Sequence, residues 1–372
     1  MKWIDAQPAL DTALASVASA DTIALDTEAD SLHSYFDKVC LIQISVPPDD
    51  LLIDPLVGLD LAALGRVLSD RAVTKVLHGA DYDLRILQRD FGFRIVNLVD
   101  TMVCAQLLGY EAFGLAALLE RHFGVTLDKA HQRADWSMRP LPPQMLAYAA
   151  TDTHYLIPLA EKLREELKAL GRWEWAQEEF VRMEDILFEE KEDTEPWRRL
   201  KNIAALQRRS LAVLRDLHAW RDQLARRADR PPFKIASNEM LVEIARNTPL
   251  TSEDLVSIKS VSRFHHDRYS REILRITRRV AELPEDELPE KGGFRPWVRD
   301  RELDARVERM KKVRDQVAKE LRLDPAVVAP RHVLTAIAAL QPADVSQLSQ
   351  VPAMREWQKR VLGEALVAAA RK

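Results

Sequence analysis

The rear half of the chain is written twice. Arg221-Asp222-Gln223-Leu224-Ala225 returns as Arg314-Asp315-Gln316-Val317-Ala318, an offset of 93 residues. At the same offset Ile235-Ala236 returns as Val328-Ala329, Leu241 and Ala245 as Leu334 and Ala338, and Pro249 as Pro342. Landmarks that agree on one offset define a duplicated module, so this half folds as two copies of one helical unit. Capping sequences such as Ser237-Asn238-Glu239 and Thr251-Ser252-Glu253-Asp254 divide the first copy into several short helices. The copies are expected over residues 200–283 and 300–372, the second more divergent. Residues 284–299, rich in Pro, Gly and charge at their start, read as the linker between them. Residues 1–195 form a separate front domain, and the acidic stretch 189–196 joins it to the rear.

Charge divides along the same line. Residues 1–200 hold 20 Lys/Arg against 34 Asp/Glu, whereas residues 201–283 hold 17 against 10. An acidic front on a basic rear suggests nucleic-acid contact by the rear, although a solvated helical face gives the same sign. With 47% hydrophobic residues there is ample core. No stretch is long and uncharged enough for a membrane helix. The start, with Asp5 and no apolar core segment, is not a signal peptide. Cys40 and Cys104 lie in apolar runs and make neither a disulfide framework nor a cysteine-rich zinc site, so a cytoplasmic setting is expected.

The front domain changes pattern partway. Strand signals at residues 22–26, 40–46 and 51–53 are closely spaced, with turn residues at 47–50, and predict an antiparallel meander. Beyond them helices at 59–68, 81–89, 102–108 and 115–122 alternate with strands at 74–77 and 95–99, the pattern of a parallel section. Residues 142–170 read as helix, with a break near Ile157 imposed by Pro158, and residues 172–189 as a further helix. A mixed sheet covered by helices follows.

Asp26 and Glu28 close the first of these strands on one face, because side chains alternate. Carboxylates that close repel unless a cation lies between them, and magnesium or manganese prefers such oxygens. An acidic turn at a strand end has the same sequence. Asp83, in His78-Gly79-Ala80-Asp81-Tyr82-Asp83-Leu84, lies in the first turn of a helix, where an acid also suits the helix dipole. Asp100 reads as an N-cap. Tyr148 and Asp152, four apart, share a helix face. The histidines show no metal-ligand spacing, and no P-loop sequence is present, so no nucleotide cofactor is expected.

Taken together, Asp26, Glu28, Asp83, Tyr148 and Asp152 resemble the site of the DEDD superfamily of 3′–5′ exonucleases, tyrosine subgroup. LDTEAD, HGADYDL and YAATD are similar to its three motifs. Asp135-Trp136 with Arg139-Pro140-Leu141 is similar to a segment of the bacterial ribonuclease D family, and the repeated modules resemble HRDC domains. The second copy has Met354-Arg355-Glu356-Trp357 where the first has Phe264-His265-His266-Asp267. The resemblance implies an α/β RNase H-like exonuclease domain followed by two all-α HRDC-type domains. It implies two divalent metal ions, Mg2+ or Mn2+, on Asp26, Glu28, Asp83 and Asp152, with Tyr148 orienting the attacking water. The implied activity is removal of 5′-mononucleotides from the 3′ end of RNA, tRNA precursors above all. A 3′–5′ DNA exonuclease and a non-catalytic RNA-binding protein are the competing expectations. His33, Tyr35, Lys129, Arg133 and Arg139 are expected near the substrate. Arg226, Arg227, Arg230 and Lys234 around Pro231-Pro232-Phe233 form a basic patch for RNA, or a solvated loop.

Overall fold

The computed structural model describes residues 1–127, 129–189, 194–291 and 300–371, with Lys129 described by its backbone alone. In chain order the front region runs β1 (Lys2–Ile4), α1 (Gln7–Ala18), β2 (Thr22–Ala29), β3 (Val39–Val46), β4 (Asp49–Ile53), α2 (Ala62–Leu68), β5 (Thr74–Leu77), α3 (Asp81–Phe91), β6 (Leu98–Asp100), α4 (Thr101–Leu108), α5 (Leu115–Phe123), α6 (Pro143–His154), α7 (Leu156–Ala169) and α8 (Trp173–Met183). The first helical module comprises α9 (Arg208–Arg227), α10 (Pro232–Ile235), α11 (Asn238–Asn247), α12 (Ser252–Ser257) and α13 (Arg263–Ala281). The second comprises α14 (Arg301–Leu321), α15 (Pro325–Val328), α16 (Arg331–Leu340) and α17 (Glu356–Arg371).

The six strands are ordered β1-β4-β3-β2-β5-β6. The β2–β3 and β3–β4 pairs are antiparallel, and β1–β4, β2–β5 and β5–β6 are parallel. The expected mixed sheet is therefore present. One face, with Ile23, Leu25, Ile42, Ile44 and Ile53, is buried in the main apolar cluster beside Leu64, Leu84 and Leu87. On the other, α6 packs over β2, β3 and β4. There Leu41 and Leu52 meet Trp136, Met145, Ala149 and Ala150.

Several boundaries differ from expectation. The break in the long helical stretch falls at Tyr155, between α6 and α7. Pro158 then lies in the first turn of α7, where its missing N–H removes no helical bond. Asp49 and Asp50, expected in a turn, already belong to β4. The strand expected at 95–99 begins at Leu98. β1 and α1 were not expected; three residues are too few for a readable period, and β1 gains its conformation by pairing with β4.

The chain divides into two compact units, Met1–Ala29 with Lys38–Phe188 and Arg299–Lys372, and Asp30–Asp37 with Glu189–Val298. The first unit thus joins the sheet to the second helical module. Trp357 of α17 enters the main cluster and stacks on Trp175 of α8, centroids 4.7 Å apart. Arg355 grips Glu179 through Nε and Nη2, each at 2.9 Å. The carboxylate of Glu178 accepts the amides of Glu356 (2.6 Å) and Trp357 (3.1 Å), capping α17 from outside its own module. Gly109 permits the approach: a Cβ there would overlap the Arg322 carbonyl oxygen.

Inside, the two modules match. Arg221 Nη1 donates to the Ala236 carbonyl at 3.0 Å, and Arg314 Nη1 to that of Ala329 at 3.1 Å. α11 and α16 both end on left-handed residues, Thr248 and Gln341. Among the described residues no helix is long and apolar enough to cross a membrane.

Candidate functional site

β2 supplies Asp26 and Glu28, and its ladder with β3 shifts register between Glu28 and Ala29, so the strand opens beside the second acid. α6 supplies Asp152. Small residues Ala149 and Ala150 let the helix approach the sheet, and Thr153 Oγ1 pairs with Ser45 Oγ of β3 at 2.7 Å. One ligand atom each from Asp26, Glu28 and Asp152 lies within 4.8 Å of the others. Asp83 arrives from the first turn of α3 and accepts a short hydrogen bond from the Thr27 hydroxyl. The loop into α3 is fixed by Asp100, which accepts the amides of Gly79 (3.1 Å) and Ala80 (2.8 Å). Asp100 also caps α4 through Met102 (2.8 Å), the structural part read from sequence. A cavity of about 600 Å³ is lined by Asp26, Glu28, Asp83, Tyr148 and Asp152, with His78 among its other walls.

The acids disturb one another. Burial, then the charges of Asp83, Asp152 and Glu28, hold the Asp26 carboxyl well above the usual range. Burial, then Asp152 and Asp83, push Glu28 up to about 9. Burial raises Asp83 to about 7 against the opposing Thr27 bond, and Asp152 to about 7 against its hydrogen bond with Tyr148. No Lys or Arg is among the described residues lining the cavity. Three carboxylates within 4.8 Å of one another, with Asp83 lining the same cavity and no cationic side chain among its described walls, fit hard divalent cations.

Tyr148 stands one helical turn before Asp152, its ring 6.0 Å from Trp136 and 5.9 Å from His131, centroid to centroid. Burial, then the nearby carboxylates, raise its phenol, so it stays protonated at neutral pH.

The residues expected near substrate fare differently. Arg139 is a correction: Nε and Nη2 bind Asp54 at 2.6 and 2.7 Å, and the remaining donors reach the Trp136, Met138 and Cys40 carbonyls. Its guanidinium ties loop to sheet, leaving nothing for a phosphate. Tyr35 belongs to the second unit and donates its hydroxyl to Asp222 at 2.9 Å, so that hydroxyl is no free contact for a terminal nucleotide. Its amide and that of Phe36 donate to Asp229, at 3.0 and 3.1 Å. His33 lies 3.4 Å from Lys234 Nζ in the same unit. Arg133 is exposed, and the Lys129 side chain lies outside the described residues. Of the basic patch, Arg226 lies over the Tyr35 and Phe36 rings, 5.4 and 5.7 Å from their centroids.

Sequence reasoning missed Thr27 and Gln43. A threonine between two acids points to the face opposite theirs, where Asp83 enters. Gln43 is a lone amide in the run Cys40–Val46, opposite Asp26 in the β2–β3 register. Both signals were present.

A model of 3′–5′ exonuclease domains matches residues 1–168, and one of HRDC domains matches residues 210–277 and 304–369. Ribonuclease D of Acidiphilium cryptum is 35% identical over 277 residues, 74% of this chain and 70% of that protein. Ribonuclease D of Gluconacetobacter diazotrophicus is 32% identical over 351 residues, 93% of this chain and 86% of its own. The crystal structure of Escherichia coli RNase D, described as an exoribonuclease involved in structured RNA processing, is 28% identical with a TM-score of 0.70, covering 99% of this chain and 98% of that one. Exonuclease domain followed by helical HRDC modules is thus the architecture of the whole chain, and exonucleases of this fold use divalent metals.

Proposed function

This chain belongs to the ribonuclease D family of 3′–5′ exoribonucleases, and from that premise we propose that Asp26, Glu28, Asp83 and Asp152 hold two divalent cations, magnesium or manganese, beside Tyr148. The observation that carries this assignment is the meeting of Asp26, Glu28 and Asp152 within 4.8 Å, with all three carboxyls raised by burial and those of Asp26 and Glu28 raised further by neighbouring acids. When bound, such cations supply a water of lowered pKa and offset the charge on the phosphate and the departing 3′ oxygen, yielding 5′-mononucleotides. The chain's own contribution is positioning. Tyr148, kept neutral and bonded to Asp152, orients the attacking water but does not deprotonate it. Thr27 fixes the Asp83 carboxylate, and Asp100 fixes the loop that carries it.

The substrates we propose are structured RNAs, tRNA precursors in particular. The Escherichia coli relative, an exoribonuclease involved in structured RNA processing, supports the first, and the family resemblance the second. Residues 1–195 form the exonuclease module, 200–283 and 300–372 the two HRDC-type modules, and 284–299 the linker, of which 292–299 lie outside the described residues. Within the second unit, Arg226, Arg227, Arg230 and Lys234 with the exposed rings of Phe36 and Phe233 suit a single strand, combining phosphate contacts with base stacking. Tyr35, committed to Asp222, supports Arg226 there. The setting we propose is cytoplasmic, in keeping with two buried cysteines that form no disulfide.

The test is an assay of 5′-labelled and 3′-labelled RNA and DNA oligonucleotides with magnesium, manganese or EDTA. The reading predicts a ladder of RNAs shortened from the 3′ end, mononucleotide release, and silence in EDTA. Cleavage in EDTA would contradict the metal assignment, and equal digestion of DNA would remove the preference for RNA.

A further inference from the structure

Gln43 lies in the middle of β3, fully buried, and neither its amide nitrogen nor its amide oxygen has a hydrogen-bond partner among the described residues. An unpaired buried amide is unfavourable, and one in a native protein calls for an explanation. The register shows what surrounds it. Gln43 stands directly opposite Asp26 on β2 and Leu52 on β4. Residues so opposed share a face and lie within side-chain reach. One lateral neighbour is therefore a carboxylate of the proposed cation site, and the other is an aliphatic wall. The roof is α6: Leu41, two residues before Gln43, packs with Ala149 and Ala150. Ser45, two residues after, is bonded to Thr153, the residue that follows Asp152. The amide is enclosed between the strand that carries Asp26 and Glu28 and the helical turn that carries Asp152.

We infer that Gln43 is a positioning residue for the cation site: its amide N–H, unpartnered in this structure, donates to one oxygen of Asp26 when a cation is bound and so presents the other to the cation. The inference rests on the proposed reading of the cavity as a cation site. A carboxylate that ligates through one oxygen keeps a second to accept a hydrogen bond, and partners of that kind set ligand orientation in metal sites. The residue type fits the task. Lysine or arginine here would neutralise Asp26 and compete with the cation, whereas a carboxamide restrains the carboxylate without reducing its charge. Leucine would pack as well against Leu52 but would leave Asp26 free to rotate.

The test uses the full chain carrying Gln43→Met or Gln43→Leu, with Asp26→Asn as control. It reads Mn2+ affinity by calorimetry, thermal unfolding without metal, and kcat against Mn2+ concentration. Both apolar variants are expected to bind Mn2+ at least about 10-fold more weakly, to unfold at an unchanged or higher temperature without metal, and to recover kcat when Mn2+ saturates. Wild-type Mn2+ affinity in both, with binding abolished in Asp26→Asn, overturns the role of Gln43 and leaves the cation site standing. Undiminished Mn2+ binding in Asp26→Asn overturns the cation site itself. Failure of both apolar variants to fold without metal also overturns the inference, since it makes Gln43 part of the scaffold.

Discussion

In the first helical module α13 starts on a cap from its own Ser262, and Phe264 beside it is 60% exposed. In the second, α17 starts on a carboxylate lent by Glu178 of α8, and Trp357 is 1% exposed. The interiors agree down to the Arg221 and Arg314 bonds, 93 residues apart. A principal difference lies in the short stretch where Phe264-His265-His266-Asp267 has become Met354-Arg355-Glu356-Trp357. A duplicated module keeps the residues that close its core and changes those that choose its neighbour. The first copy presents its aromatic to solvent; the second has turned the equivalent helix end into an anchor on the catalytic region.

The comparison predicts unequal costs. Trp357→Ala removes a ring buried in the main cluster and should destabilise the first unit by about 3–5 kcal/mol. Phe264→Ala should change stability by no more than about 0.5 kcal/mol. Equal losses in thermal unfolding would erase the distinction between the modules. Next in size, Arg355→Ala leaves Glu179 without its bidentate partner. Both side chains are partly solvated, so about 1–2 kcal/mol is expected, and a smaller loss in Glu179→Ala/Arg355→Ala than the sum of the single losses would locate the coupling. Smaller again is the effect on RNA. Arg226→Ala or Lys234→Ala should each reduce the salt slope of RNA binding by about 0.7, with stability unchanged. An unaltered slope would take RNA contact away from the second unit.

Deletion of residues 300–372 follows from the same contrast. It uncovers Trp175 and leaves Glu178 and Glu179 without partners, so it damages the catalytic unit itself.

Much of this was legible in the sequence because it is periodic or local. The repeat at one offset revealed the two modules, and the alternation of β2 put Asp26 and Glu28 on one face. What the sequence hid depends on tertiary contact. Arg139 reads as a free cation until Asp54 and three carbonyls are seen to consume its donors. Tyr35 follows Glu28 closely in sequence, yet its loop folds with the second unit. Trp357 looked like mere divergence because its partner, Trp175, is remote along the chain.

The catalytic unit also carries a pH signature in its buried carboxyls. Glu28 holds its proton up to about 9 in the folded chain, above its value when unfolded. Without metal the folded state therefore binds more protons between those values, and its stability falls as pH rises through that window. Glu28→Gln cannot ionise, so its melting temperature relative to wild type should climb between pH 5 and pH 9 in EDTA. A constant difference would mean that Glu28 titrates normally.

The proposed cation ligands are needed to cut RNA but not to hold it. Parallel measurement of RNA binding and of 3′-end hydrolysis in Asp152→Asn tests this most directly. Binding within a few-fold of wild type with hydrolysis reduced by at least about 10³ is the predicted result. Hydrolysis that survives at a wild-type rate would contradict it.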